Sequence, residues 1–138
     1  MNELIIHRQL WNEHDSFYIM ESHGYGMCRL TFYKDENYAE ISDLFVQEDQ
    51  RRKGIATDLI KTAIEEFNTY FEKDELRIYV EDEPDPYSTT EKPATFVEEF
   101  YKKMGFKPEA LEARMDSYNE EKNDFKWYKV FTIKYKDL

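Results

Sequence analysis

The sequence predicts a single-domain α+β fold (α/β mixed), with a mostly antiparallel sheet of about six or seven strands and two main helices. Three observations predict it. Alternating segments rich in aromatic and β-branched residues dominate the first 46 residues. The apolar period then switches to that of a helix from Thr57. The length of 138 residues suits one ordinary core and is short for two.

Four strands are expected first: Leu4–Leu10, Ser16–Ser22, Met27–Tyr33 and Tyr38–Val46. Turn formers separate them, at Asn12 to Asp15, His23-Gly24-Tyr25-Gly26 and Lys34-Asp35-Glu36-Asn37. Such short connections imply an antiparallel meander. Leu59, Ile60, Ala63, Ile64, Phe67, Tyr70 and Phe71 then recur at helical spacing. Leu76–Val80 is a short strand. Residues 81–91 hold five acids, two prolines and no base, and read as an exposed loop. A second helix is expected near Pro93, with Thr95 and Glu98 at capping-box spacing. Its apolar face is Phe96, Val97, Phe100, Tyr101 and Met104, and Gly105 stands where a helix ends in a left-handed residue. Phe125–Tyr135 alternates as a strand. Glu109–Met115 is built of strong helix formers, whereas the architecture asks for a strand near there.

Thirty acids against 19 Lys and Arg give a net charge of −11. That sign repels phosphate backbones and anionic lipid, so no nucleic acid and no membrane are expected as partners. It favours a cationic small molecule or a basic segment, or serves solubility alone. Cys28 is the single cysteine, which excludes an internal disulfide and a multi-cysteine zinc site. His7, His14 and His23 form no metal-ligand pattern, so no metal is expected. There is no apolar run of the ~20 residues that span a bilayer and no signal-peptide core, so a cytoplasmic protein is expected.

One stretch carries chemistry. Strand Tyr38–Val46 is followed by Gln47-Glu-Asp-Gln-Arg-Arg-Lys-Gly-Ile-Ala56 and then the amphipathic helix. The first turn of a helix has backbone N–H groups without intrahelical partners and a partial positive charge. Small residues at Gly54 and Ala56 let an anion approach those donors. Arg51, Arg52 and Lys53 are the only run of three cations in an acidic chain. The plainer alternative is a tight turn that needs Gly54 and nothing more. The spacing is not that of the nucleotide-hydrolase phosphate loop, since no Lys precedes Thr57, and G-x-G-x-x-G is absent.

Together with Phe100-Tyr-Lys-Lys-Met-Gly-Phe106, this segment resembles the GNAT superfamily of acyl-CoA N-acyltransferases. The phosphate turn of that family, Arg/Gln-x-x-Gly-x-Gly/Ala, is matched by Arg51, Gly54 and Ala56. Its later helix ending, Tyr-x-x-x-Gly-Phe, is matched by Tyr101, Gly105 and Phe106. The strand ending Asp43-Leu-Phe-Val46 is a common family form. The resemblance is close over residues 38–106. It implies acetyl-CoA (or another acyl-CoA) as cosubstrate, with its pyrophosphate on the backbone amides of Arg51, Arg52, Lys53, Gly54, Ile55 and Ala56, helped by the Thr57 hydroxyl. It also implies pantetheine contacts from the backbones of Phe45 and Val46, and Tyr101 as the acid that protonates the leaving thiolate. For the base it offers Glu40 or Asp43. An odd spacing puts these two on opposite strand faces unless a bulge intervenes, and bulges occur there in the family.

The chain departs from the family pattern in two places. Ala94 and Val97 stand where the second helix usually has Asn and Ala. Only Trp11 to Asp15 separates the first two strands, where the family has two helices, so N-terminal helices are reduced or absent. The acceptor side is then open, or closed by residues 81–91, residues 107–124 or another subunit, as in a homodimer. The reading is an N-acetyltransferase acting by direct attack on a primary amine of a small molecule or basic peptide. The alternative is a non-catalytic interaction module of the same fold that binds a basic partner. Cys28, mid-strand and far from any telling histidine, is expected to be an apolar filler rather than a nucleophile.

Overall fold

The computed structural model describes residues 2–70, 73–81, 94–115 and 125–134. Its elements are β1 (Leu4–Leu10), β2 (His14–Glu21), β3 (Gly26–Tyr33), β4 (Tyr38–Val46), a 3-10 turn (Glu48–Gln50), α1 (Ile55–Tyr70), β5 (Glu75–Glu81), α2 (Ala94–Lys103), β6 (Lys107–Met115) and β7 (Phe125–Lys134). The strands form one mixed seven-stranded sheet in the order β1-β2-β3-β4-β5-β7-β6. The expected acidic loop beyond Glu81, Phe71, and the acidic stretch after Met115 lie outside the described residues. The chain divides into two compact units, Met1–Arg77 with Ile133–Leu138, and Ile78–Thr132.

In the first unit β1 to β4 form the expected meander. Trp11 N–H donates to the His14 carbonyl at 2.9 Å, so β2 starts two residues before Ser16. Register places Phe17 opposite Leu30, and Leu30 opposite Ile41. Alternate residues share a face, so Phe17, Ile19, Cys28, Leu30, Phe32, Ala39 and Ile41 form one apolar surface, all of them buried. Against it α1 buries Ile55, Leu59, Ile60, Ala63 and Phe67. The Phe67 ring stacks on Phe32 at 6.3 Å, and Tyr70 meets Phe17 at 5.1 Å. Cys28 lies fully buried with Sγ 3.8 Å from the Leu59 carbonyl. Burial pushes its thiol up to about 12, which removes the thiolate that nucleophilic chemistry needs.

α1 begins at Ile55, two residues earlier than the apolar pattern alone suggests, because Gly54 supplies the break. Gly54 takes φ +79, a conformation cheap only for glycine, and its carbonyl receives the Asp58 N–H at 3.0 Å. β4 carries the bulge. Met27 pairs with Phe45 but Arg29 pairs with Ser42, so β4 holds one residue more than β3, and Asp43 takes φ +57.

In the second unit α2 includes Thr95, so the helix starts earlier than a Thr95 cap requires, and Glu98 pairs with Lys129 at 2.7 Å. The helix ends as expected. Gly105 takes φ +104, and the Phe106 N–H donates to the Tyr101 carbonyl at 3.0 Å. Residues 107–115 form a strand paired antiparallel with β7. Pairing along the whole segment overrides the helix propensity of Glu109–Met115. The register shift between Pro108 and Ala110 sits beside a residue that has no N–H for the ladder. Tyr101 and Phe131 meet with ring centroids 6.3 Å apart, and Tyr101 and Phe106 at 6.0 Å.

Candidate functional site

The turn between β4 and α1 is built to present backbone donors. Two residues two positions apart take left-handed conformations, Arg52 at φ +67 and Gly54 at φ +79. Alternation of this kind points successive N–H groups into one concavity. Among the described residues, none receives a hydrogen bond from the backbone N–H of Arg52, Lys53, Gly54, Ile55, Ala56 or Thr57, whereas the Arg51 and Asp58 amides on either side do donate. A cluster of unspent donors at the start of a 16-residue helix is a strong local demand for an acceptor. Ile55 is buried and anchors the turn from below.

No side chain of the described residues fills the cradle. Among the described residues, a Cβ placed on Gly54 would find only Asn2 Nδ2, at 4.0 Å. Asn2 spends its donors elsewhere: Nδ2 gives to the Lys53 carbonyl at 3.1 Å and to Asp58 Oδ2 at 2.9 Å, and its backbone N–H gives to the same carboxylate at 3.1 Å. These bonds hold the Asp58 carboxyl below its ordinary range and pair an acid that would otherwise face an incoming anion. The residues present therefore fit a diphosphate.

The three cations are exposed but not equally available. Arg51 Nε donates to the Val46 carbonyl at 3.2 Å, bracing the end of β4, and Lys53 Nζ donates to Gln50 Oε1 at 2.9 Å. Beside Arg51 an open groove of ≈ 590 Å³ is lined by Phe45, Gln47, Glu48 and Asp49, with Phe45 itself 53% exposed. The β2–β3 turn locks onto this end of β4. Gln47 N–H donates to the Tyr25 carbonyl at 2.8 Å, and a Cβ at Gly26 would lie 2.9 Å from Ile55 Cγ2 and 3.0 Å from the Phe45 carbonyl. Glu21 braces that turn. Its carboxylate is buried and accepts from the Ser22 hydroxyl, the His23 and Tyr25 amides and the His23 ring. Burial alone would raise it, but these bonds win and hold it at about 2.

The sheet face opposite α1 is polar. Ser16, Thr31 and Glu40 are buried on it, and Tyr33 donates its hydroxyl to Glu40 Oε2 at 2.9 Å. Asp43 is exposed on the bulge. The two candidate bases thus occupy different environments: Glu40 is held by a phenol, and Asp43 is solvated. Tyr101 is 7% exposed and packs among Phe100, Phe106 and Phe131 in the second unit. Sequence reasoning missed Asn2, Tyr33, Gly26 and the left-handed Arg52. Only Gly26, within His23-Gly24-Tyr25-Gly26, left a local trace. Among the described residues there is no cluster of three or more metal-ligating side chains, and no helix is long and apolar enough to cross a membrane.

Comparison with known families decides the lineage. Residues 13–108 match the acetyltransferase (GNAT) domain. The chain belongs to the GNAT acetyltransferase family. Solved GNAT structures share its fold at low identity. One is a GNAT family acetyltransferase from Elizabethkingia anophelis with acetyl-CoA bound: 15% identity, TM-score 0.66, covering 97% of this chain and 99% of that one. The spermidine/spermine N-acetyltransferase from Vibrio cholerae, solved with manganese ions, gives 17% identity and TM-score 0.60 over 90% of this chain and 66% of that one. The ribosomal-protein-S18-alanine N-acetyltransferase from Escherichia coli gives 13% identity and TM-score 0.58 over 91% and 71%. Curated proteins yield no match. The neighbours' names carry unlike acceptors, so this GNAT fold does not by itself fix one.

Proposed function

We propose that the protein is an acyl-CoA-dependent N-acetyltransferase that moves the acetyl group of acetyl-CoA to a primary amine of a small molecule or peptide. The observation that carries this reading is the run of unspent amides at residues 52–57. Aligned N–H donors with no acceptor among the described residues, at the foot of a long helix and in an otherwise acidic protein, select a polyanion such as a diphosphate.

In this reading the pyrophosphate sits on those amides, with the Thr57 hydroxyl and Arg52 beside it. The backbones of Phe45 and Val46 hold the pantetheine arm along the groove. The amine nitrogen attacks the thioester carbonyl carbon directly, so the C–N bond forms as the C–S bond breaks. Positioning of the two reactants supplies much of the rate. Glu40 takes the proton from the amine, directly or through water, and its bond from Tyr33 holds the acceptor oxygen in place. Tyr101, one turn before Gly105, gives its proton to the departing thiolate, a role that rests on the family resemblance. The cytoplasm is the proposed compartment. The test follows free thiol release from acetyl-CoA with a panel of primary amines. Amine-dependent release supports the reading. No release with any amine, together with no thermal stabilisation by acetyl-CoA, leaves only a non-catalytic module that binds a basic partner.

A further inference from the structure

The polar face that holds Glu40 also holds a cation that no carboxylate of the described residues pairs. Arg29 lies on β3 opposite Ser42, two rungs along from the Thr31–Glu40 pair. Its Cβ is therefore roughly 7–8 Å from that of Glu40, diagonally and on the same face. Among the described residues its guanidinium is held by a hydroxyl, an imidazole and an aromatic ring, with no carboxylate. Nε and Nη2 donate to Ser16 Oγ at 3.1 and 2.9 Å, Nη2 donates to His14 Nε2 at 3.1 Å, and the Tyr18 ring lies 5.4 Å from its central carbon. Ser16 is fully buried, so the fork cannot swing away. Among the described residues Arg29 forms no ion pair, and its hydrogen bonds run from Nε and Nη2 and none from Nη1.

In a chain with 30 acids and 19 Lys and Arg, a half-buried guanidinium with no acidic partner among the described residues is a poor stabiliser. It is a good anion receptor, because its orientation is already set and an anion would complete its shell. Aromatic rings flank the same face: Trp11 stacks on His14, His14 meets Tyr33, and Tyr33 meets Tyr38. Resting on the acetyltransferase reading above, we infer that the acceptor is a primary amine carrying a carboxylate or phosphate a few bonds away. Its amine faces Glu40 and its anionic group meets Arg29 Nη1. A polyamine would instead set a second cation against Arg29.

The test titrates wild type, Arg29→Met and Arg29→Lys calorimetrically with β-alanine, phosphoethanolamine, n-propylamine and spermidine, and follows thiol release from acetyl-CoA with the same amines. Wild type is expected to bind β-alanine or phosphoethanolamine roughly 10-fold to 100-fold more tightly than n-propylamine, and whichever binds identifies the anion. Arg29→Met should erase that margin and Arg29→Lys should keep part of it. Should Arg29→Met fail to fold, Arg29→Lys must still lower the margin several-fold. Equal affinities, tighter binding of spermidine, or a margin that survives in folded Arg29→Met overturns the proposal. An intact Arg29-dependent margin without thiol release from any amine upholds the anion subsite and overturns the acetyltransferase reading instead.

Discussion

Gly54→Val separates a phosphate cradle from a mere turn. Gly54 sits at φ +79 with nothing but Asn2 Nδ2 near its would-be Cβ among the described residues, so the substitution meets no steric wall from them. Its direct cost is conformational. A left-handed L-residue costs about 1–2 kcal/mol, and a β-branched one somewhat more, which is roughly 3–5 °C of melting temperature per kcal/mol at this size. Ligand binding should suffer far more. Relaxing Gly54 out of the left-handed region turns its own amide and that of Ile55 away from the concavity. Each charge-assisted bond lost is worth about 1.5–3 kcal/mol, so two of them weaken acetyl-CoA by roughly 10²- to 10⁴-fold. Calorimetric titration with acetyl-CoA, beside urea unfolding of the same samples, reads both quantities. A folded Gly54→Val protein that binds acetyl-CoA as tightly as wild type refutes the cradle.

Three further predictions concern the proposed chemistry and the brace beneath it. Tyr101→Phe should lower kcat about 10²-fold or more while leaving the Kd for acetyl-CoA nearly unchanged; undiminished turnover removes Tyr101 from proton transfer. Glu40→Gln should lower kcat/KM by about 10²- to 10⁴-fold, whereas undiminished turnover places the base elsewhere or in water. Glu21 is held at about 2 against an ordinary 4.5, so its contribution to stability is present above pH 4.5 and drains away as pH falls toward 2. Glu21→Gln should therefore destabilise the protein at pH 7 and converge with wild type near pH 2 in chemical unfolding. A constant difference at both pH values contradicts that role.

What the sequence made legible was local. The meander, α1, the Gly105 helix end and the tight turn at Gly54 follow from turn formers, periodicity and small residues within a few positions of one another. Glu109–Met115 was not legible, because its strand form depends on β7, whose partner residues lie ten or more positions away. The bulge at Asp43 shows only in the register against β3. The polar face is the clearest case of information held by register. Arg29 reaches Ser16 and His14 across 13 and 15 residues, and Tyr33 reaches Glu40 across seven. No spacing in the linear chain announces these meetings. Asn2, 56 residues from Asp58, is hidden for the same reason.

A diphosphate docked on bare peptide groups leaves a direct signature in the amide spectrum. Titrating isotopically labelled protein with coenzyme A and following each backbone N–H should move the resonances of Arg52 to Thr57 downfield, well beyond those of α2 and β6, as their protons gain an anionic acceptor. If those six resonances stay in place while coenzyme A binds, or if it does not bind at all, the amides after β4 serve the fold alone and the acetyltransferase account fails.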